Sequence, residues 1–326
     1  MAVLKVGVIG AGRMGRHHAR VLSRCPDTEV AVVIDVDPLR AELLASGFGC
    51  RASTRLEDAC SCDAAVVATP PGDHLEVALP LLEAGIPLLV EKPLSEDLRE
   101  ARAIVEASRS RRVPLACGFV ERYNPVVLAA ARLMEDAGPA LHLVGLRHSP
   151  PDPVVATSVV HDLLIHDIDL ALRMCAGGWA VEVAGGLWRG GPRGGVEIAD
   201  CVLVTDAGAM ATLSASRMGQ RKVRRLELST PAGQMELDLL RRTITVYRHV
   251  THEAAEGGTY RAETVMDIPF VQEAGEPLAL QLSHFVALVR GEVDPDAERE
   301  GLLPPHEVAT RVQQDALGAR DAVALA

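Results

Sequence analysis

The chain is nearly devoid of lysine: Lys5, Lys92 and Lys222 stand against 30 arginines. Arginine keeps its proton near neutral pH, whereas lysine releases one when its surroundings lower its pKa. A lysine at an apolar strand end is therefore conspicuous, and Lys92 is such a residue; Lys5 and Lys222 read as solvated surface charge. Other shortages narrow the class. The seven cysteines (25, 50, 60, 62, 117, 175 and 201) are odd in number and irregularly spaced. Cys60 and Cys62 are one residue too close for C-x-x-C, so the thiols read as small apolar residues in a reducing compartment. No basic run exceeds short pairs such as Arg111-Arg112, and the formal net charge is −11, which argues against general nucleic-acid binding. The acidity itself needs no more than ordinary solubility. No apolar stretch reaches membrane-spanning length, and the N-terminus enters a strand pattern without a signal-peptide pattern. Neither an internal repeat nor a low-complexity linker is present. The expectation is a cytosolic protein without a membrane or nucleic-acid partner.

What is present is a globular composition, 48% hydrophobic over 326 residues, long enough for two domains. The first fifteen residues carry most of the information. Leu4 to Ile9 is a continuous apolar run of the kind that forms a strand buried on both faces. Gly10, Gly12 and Gly15 follow with G-x-G-x-x-G spacing. The first permits a tight turn, the second lets backbone approach a pyrophosphate, and the third lets the next helix pack close. Backbone N–H groups at that helix start favour phosphate. A second apolar run, Val30 to Ile34, ends at Asp35, where a dinucleotide-binding unit places the acid that bonds the adenosine ribose. A carboxylate there favours NAD over NADP, although Arg13 or Arg40 leaves a 2′-phosphate open.

The remainder of the first part alternates strand and helix. Strands are predicted at 3–9, 30–34, 64–68, 87–90 and 114–118, and helices at 13–24, 38–46, 73–84 and 96–109, with Gly85 closing the third helix and Ser95 capping the fourth. This rhythm implies a doubly wound parallel sheet. After residue 122 the rhythm changes to a helix near 125–136, a strand near 141–147, a helix near 160–175, then seven strand-like runs between 180 and 268. Helices near 277–290 and 306–325 finish the chain, with 295–305 predicted as an exposed loop. The fold class is thus α/β: a Rossmann domain over 1–121, then an α+β domain over 122–326 with a large open, mostly antiparallel sheet, the C-terminal helix being free to pack back on the first domain. An open sheet face needs cover, which predicts a homodimer or homotetramer.

Three segments stand where ligands bind in such sheets. Thr69 and Pro70 end a strand near the expected nicotinamide ribose; a merely rigid loop is the competing reading. Glu91-Lys92 ends a very apolar strand, where desolvation would favour the neutral form of the lysine and fit it for proton exchange with a hydroxyl or carbonyl; a surface ion pair is the competing reading. In VVHDLLIHDIDLAL, Asp162 and His166 are i, i+4 neighbours on one helix face, Asp169 lies one turn beyond and could orient the imidazole, and His161 and Asp167 point elsewhere. Metal binding is disfavoured because the segment has no H-x-x-x-H pair, and a capped helix with a hydrogen-bonded histidine remains open.

Together VGVIGAGRMGRHHARVL, ATPPGDH, VEKPL and HDLLIHDIDL give the chain a resemblance to the Gfo/Idh/MocA oxidoreductases along its whole length. The resemblance implies a nucleotide-binding domain, a second α/β domain whose open sheet builds dimers or tetramers, and NAD as cofactor. It implies cofactor contacts from Gly10, Gly12, Arg13, Met14, Gly15, Asp35, Thr69, Pro70, His74, Glu91 and Lys92. It makes Lys92 the lysine that meets nicotinamide ribose and substrate, His166 the acid/base and Asp162 its nearby carboxylate, with no metal. Ile165 stands where relatives often carry glycine. GFVERYNPVV and LLIHDIDL look like the UDP-N-acetylglucosamine 3-dehydrogenase branch, which would place Arg122, Tyr123, Asn124, Arg147 and His166 beside a sugar or nucleotide-sugar, the arginines suiting a diphosphate. Other readings are a keto, imine or bilin reductase of the same fold, or a non-catalytic NAD-binding regulator.

Overall fold

A computed structural model describes residues 2–152, 155, 157–177, 180–189, 195–253, 260–271 and 275–318. Residues 1–120 with 275–310 cluster as one compact unit, and 121–274 with 311–326 as another.

In the first unit the apolar runs become a six-stranded sheet of order β3-β2-β1-β4-β5-β6. The strands are β1 (Leu4–Ile9), β2 (Thr28–Ile34), β3 (Arg51–Ser53), β4 (Ala64–Val67), β5 (Leu88–Val90) and β6 (Leu115–Cys117), and all their pairings are parallel. β4, β5 and β6 are buried at every residue, because helices cover both faces of such a sheet. Those helices are α1 (Arg13–Leu22), α2 (Pro38–Ser46), α3 (His74–Glu83) and α4 (Leu98–Arg111). The short edge strand β3 was not predicted, since RAS has neither length nor apolar character. α4 starts two residues later than expected. Asp97, not Ser95, caps it by accepting from Arg99 N at 2.8 Å, while Ser95 Oγ donates to Glu100; a carboxylate at the position flanking the first turn outcompetes a hydroxyl two residues earlier.

Residues 275–310 were expected in the second domain, but the apolar stripe of α7 (Pro277–Val289), namely Leu278, Leu282, Phe285 and Leu288, joins the core built by Val6, Val8, Val33 and Leu89. The predicted loop at 295–305 is also corrected. It forms α8 (Pro295–Glu300), with Arg299 buried against the Val113 carbonyl, and opens the last helix at Leu303. Asp294 caps α8 and Pro295 occupies its first position. The end of the predicted final helix, 319–325, lies outside the described residues.

The second unit holds α5 (Pro125–Ala137) and an eight-stranded sheet of order β14-β13-β12-β11-β7-β10-β9-β8. Its strands are β7 (His142–His148), β8 (Ala180–Arg189), β9 (Val196–Thr205), β10 (Met210–Ser216), β11 (Val223–Thr230), β12 (Gly233–Asp238), β13 (Thr243–Glu253) and β14 (Tyr260–Asp267). Only the β7–β10 pair is parallel. Registers align one row across the sheet, Ile244-Leu237-Leu226-Gly145-Leu213-Cys201-Gly185, buried up to the half-buried Gly185. Strand alternation sends the neighbouring row to the opposite face, where Leu146, Trp188, Val202 and Met210 stay exposed. The buried face is covered by one further helix, α6 (Ile165–Met174), and a π-helical turn over Val160–Leu164 precedes it. No helix among the described residues is long and apolar enough to cross a membrane.

Candidate active site and family membership

The glycine loop explains how the first unit presents its ligand surface. Gly10 has φ +97°, and a Cβ on it would lie 2.6 Å from the Ala68 carbonyl oxygen. A Cβ on Gly15 would lie 1.8 Å from the Gly10 carbonyl oxygen, so α1 packs against the loop only with glycine there. A Cβ on Gly12 would meet nothing within 4 Å, which leaves backbone open to an incoming phosphate. Ala11, Gly12, Arg13, Arg16 and His17 line a cavity of about 450 Å³ with Arg40 of α2. Asp35 braces the loop: Oδ2 accepts from Ala11 N at 2.7 Å and Oδ1 from Asp37 N at 2.9 Å. A carboxylate offers about four acceptor positions, so two remain for ribose hydroxyls. Thr69, at the end of β4, keeps a buried Oγ1 with no hydrogen-bond partner, an open polar position where the ribose of a dinucleotide is expected. The loop, the acid and this hydroxyl fit NAD.

Two residues expected at the cofactor are turned inward. His74 is fully buried. Its Nε2 faces the Thr69 carbonyl at 3.0 Å and its Nδ1 the Pro93 carbonyl at 2.9 Å, so it braces the two turns that follow β4 and β5. Burial holds its pKa below 6.5, against the pull of those carbonyls and of Glu91. Glu91 is buried as well, bonded to His18 Nε2 of α1 at 2.7 Å. Burial opposes its charge, but the His18 bond and the nearby Lys92 outweigh this and lower its pKa. Lys92, half-buried, begins the turn after β5 through a cis bond to Pro93. That turn is fastened by a residue not singled out from sequence: Leu94 N–H donates to His306 Nε2 at 2.9 Å. Nothing short of the fold could bring residue 306 to residue 94.

In the second unit the histidine segment does not form one uniform helix. Asp162 lies in the π turn and His166 in the first turn of α6, so the predicted α-helical i, i+4 geometry is replaced by a π-to-α junction, a local form frequent at functional sites. Asp162 keeps about a fifth of its side chain exposed, 3.5 Å from the Arg217 guanidinium, which also binds Glu197 at 2.8 Å. His166 is 8% exposed.

The remaining polar residues hold the helix to the sheet. Arg122 binds Asp169 through Nε at 2.9 Å and Nη2 at 2.6 Å. Asp169 is therefore committed to an arginine and does not orient His166, contrary to expectation. Arg147 binds Asp167 through Nε at 2.9 Å and Nη2 at 2.7 Å, and Glu121 through Nη1 at 2.8 Å. Burial opposes the Arg147 charge, but the two carboxylates together outweigh it and raise its pKa. Asn124 caps α5 by accepting from Val126 N at 3.2 Å, and its amide donates to Glu121 and the Leu239 carbonyl. Arg122, Asn124 and Arg147, expected at the substrate, are buried and hydrogen-bonded within the second unit, the two arginines through bidentate pairs with Asp169 and Asp167. Tyr123 is half-buried in the turn between them. Arg224, cross-strand from Arg147, was missed from sequence; its Nη1 donates to two backbone carbonyls and burial lowers its pKa to about 10.

A family model described as "Oxidoreductase family, NAD-binding Rossmann fold" matches residues 4–119. UDP-N-acetylglucosamine 3-dehydrogenase of Acidithiobacillus ferrooxidans is 30% identical over 283 residues, covering 86% of this chain and 84% of the relative.

The chain belongs to the Gfo/Idh/MocA oxidoreductase family.

A solved structure of the Acidithiobacillus enzyme superposes with a TM-score of 0.84 at 25% identity, covering 98% of this chain and 99% of that one. An inositol 2-dehydrogenase of Rhizobium meliloti is 27% identical over 301 residues, 88% of each chain. An Agrobacterium radiobacter oxidoreductase solved with NAD+, L-tartaric acid and magnesium shares the fold, with a TM-score of 0.82 at 17% identity over 97% of each chain. The protein is an NAD-dependent dehydrogenase acting on CH–OH, and the expected fold class and cofactor hold.

Two outcomes follow from the buried polar groups. Arg122→Ala leaves the buried Asp169 with only the longer 3.7 Å contact to the half-exposed Arg173, so denaturant unfolding should show a loss of about 3 kcal/mol, and Arg122→Met with Asp169→Leu should recover most of it; an unfolding midpoint unmoved by Arg122→Ala would return that arginine to the substrate. For His74, the folded-state pKa lies below the unfolded value of 6.5. The unfolded chain then binds more protons between the two values, so His74 contributes stability above pH 6.5 that is lost as pH falls through the folded pKa. Thermal melts from about pH 7.5 down to about pH 5.5 should fall less steeply for His74→Gln than for wild type; equal slopes would remove His74 from this role.

Proposed function

We propose that the protein oxidises a secondary hydroxyl of a sugar or nucleotide-sugar, with C3 of UDP-N-acetylglucosamine as the leading substrate. The observation that carries this reading is the family's three site segments within one chain, which the UDP-N-acetylglucosamine 3-dehydrogenase matches over 86% of its length. NAD, when bound, supplies the hydride acceptor. Asp35 and the open backbone at Gly12 hold its ribose and phosphates, and Thr69 offers its free hydroxyl to the second ribose. His166 takes the proton from the substrate hydroxyl, since an imidazole exchanges protons near neutral pH. Lys92 stabilises the oxyanion that develops as the hydride leaves. Asp162, tied to Arg217, sets the charge beside His166. Because Arg122 and Arg147 are committed to carboxylates, support for a diphosphate-bearing substrate comes from the relative and not from those arginines.

The same reading includes a cytosolic homodimer or homotetramer. All seven cysteines are free thiols, and the exposed Leu146, Trp188, Val202 and Met210 on the open sheet face suit a second copy.

His166→Ala and Lys92→Ala should each lower turnover about a hundredfold or more while NADH binding, read by fluorescence, stays near wild type. The assay is a panel of UDP-sugars and free polyols with NAD, followed by absorbance of the reduced cofactor. Turnover of myo-inositol alone would move the substrate to the polyols, and wild-type rates in both variants would remove the assigned chemistry. Size-exclusion light scattering should give a dimer or tetramer mass, and a stable monomer at micromolar concentration would refute the sheet-mediated assembly.

A further inference from the structure

Glu91 presents a physical oddity. A carboxylate 7% exposed at the end of an apolar strand is costly unless paired, and an apolar side chain of similar volume would serve stability as well. Its surroundings are tightly specified. Oε1 accepts from His18 Nε2 at 2.7 Å and Oε2 from the backbone N–H of Lys92 at 3.2 Å. The backbone of Glu91 is itself tied to β4, its N–H donating to the Val67 carbonyl at 2.9 Å. A Cβ on Gly118 would lie 2.6 Å from Oε2 and 2.8 Å from Lys92 N, so the residue after β6 is bare where the carboxylate must fit. His18 is fully buried, and its Nδ1 has no hydrogen-bond partner. That pattern fits the Nε2–H tautomer, because an unused lone pair is cheaper to bury than an unused N–H. The histidine therefore spends its single donor on Glu91, and Glu91 spends its second oxygen on the residue bearing the one strand-end lysine.

We propose that His18 and Glu91 are a buried positioning pair: the glycine-loop helix, through His18, holds the Glu91 carboxylate, and the carboxylate fixes the turn from which the Lys92 side chain departs. The pair touches neither substrate nor cofactor and acts through Lys92. This rests on the reading of Lys92 given above, and the test separates the two.

The three lysines make the test direct. Reductive ¹³C-methylation yields few lysine resonances, and Lys92→Arg identifies the one from Lys92. With NAD bound, His18→Leu should move that resonance, whereas His18→Gln, which keeps a donor toward Glu91, should restore it toward wild type. Turnover should fall about tenfold or more in His18→Leu and recover in His18→Gln, with the NADH dissociation constant within about threefold throughout. A Lys92 resonance unmoved by His18→Leu would overturn the proposal. So would equal damage in the two His18 variants, or a loss of NADH binding that accounts for the lost turnover. If the resonance responds as expected while Lys92→Ala keeps wild-type turnover, the pair stands and the catalytic reading of Lys92 falls.

Discussion

Charge inside this protein survives only where it is matched, and that matching organises both units. Asp167 and Asp169 on α6 would each be prohibitive alone in the space between a helix and a sheet. Arg147 and Arg122 convert them into rivets that fix the rotation of α6 against β7 and against the turn before α5. Glu91 is the counterpart in the nucleotide-binding unit, bonded to His18 and lodged against Gly118. Removing one member of such a pair leaves the other buried and unpaid, so these residues are held by their partners as strongly as any apolar core position.

The consequence for function is a division of labour among residues that look alike in one dimension. Within HDLLIHDIDL, Asp167 and Asp169 are committed to arginines, whereas Asp162 and His166 carry the proposed chemistry. Within ATPPGDH, Thr69 keeps a free buried hydroxyl and His74 is a brace. Within VEKPL, Lys92 begins the turn after the strand and Glu91 turns inward. Each motif therefore mixes residues proposed to meet ligand with residues that hold the backbone beside them.

How much was legible follows from the range of the interaction involved. The parallel sheet, the glycine loop and Asp35 could be read because they depend on contacts between near neighbours in sequence, on strand periodicity and on φ values that glycine alone adopts comfortably. The helix at 295–300 was missed because its buried Arg299 looks like a surface charge until the Val113 carbonyl is beside it. The π turn was missed because its spacing differs from an α-helix by one residue in a run that is apolar under either geometry. The carboxylate pairing of Arg122 and Arg147 was not legible for a related reason: a guanidinium suits a phosphate and a buried carboxylate equally, and sequence does not say which will be nearest.

By itself the sequence determined the order of elements, the dinucleotide loop, the acid that follows it and the short set of side chains able to move a proton, since these follow from local periodicity and side-chain chemistry. Only the tertiary structure decided which of those side chains remain available. That depends on pairing between residues as distant as His18 and Glu91, or Arg122 and Asp169, and on the desolvation that makes such pairing obligatory once the chain has closed around them.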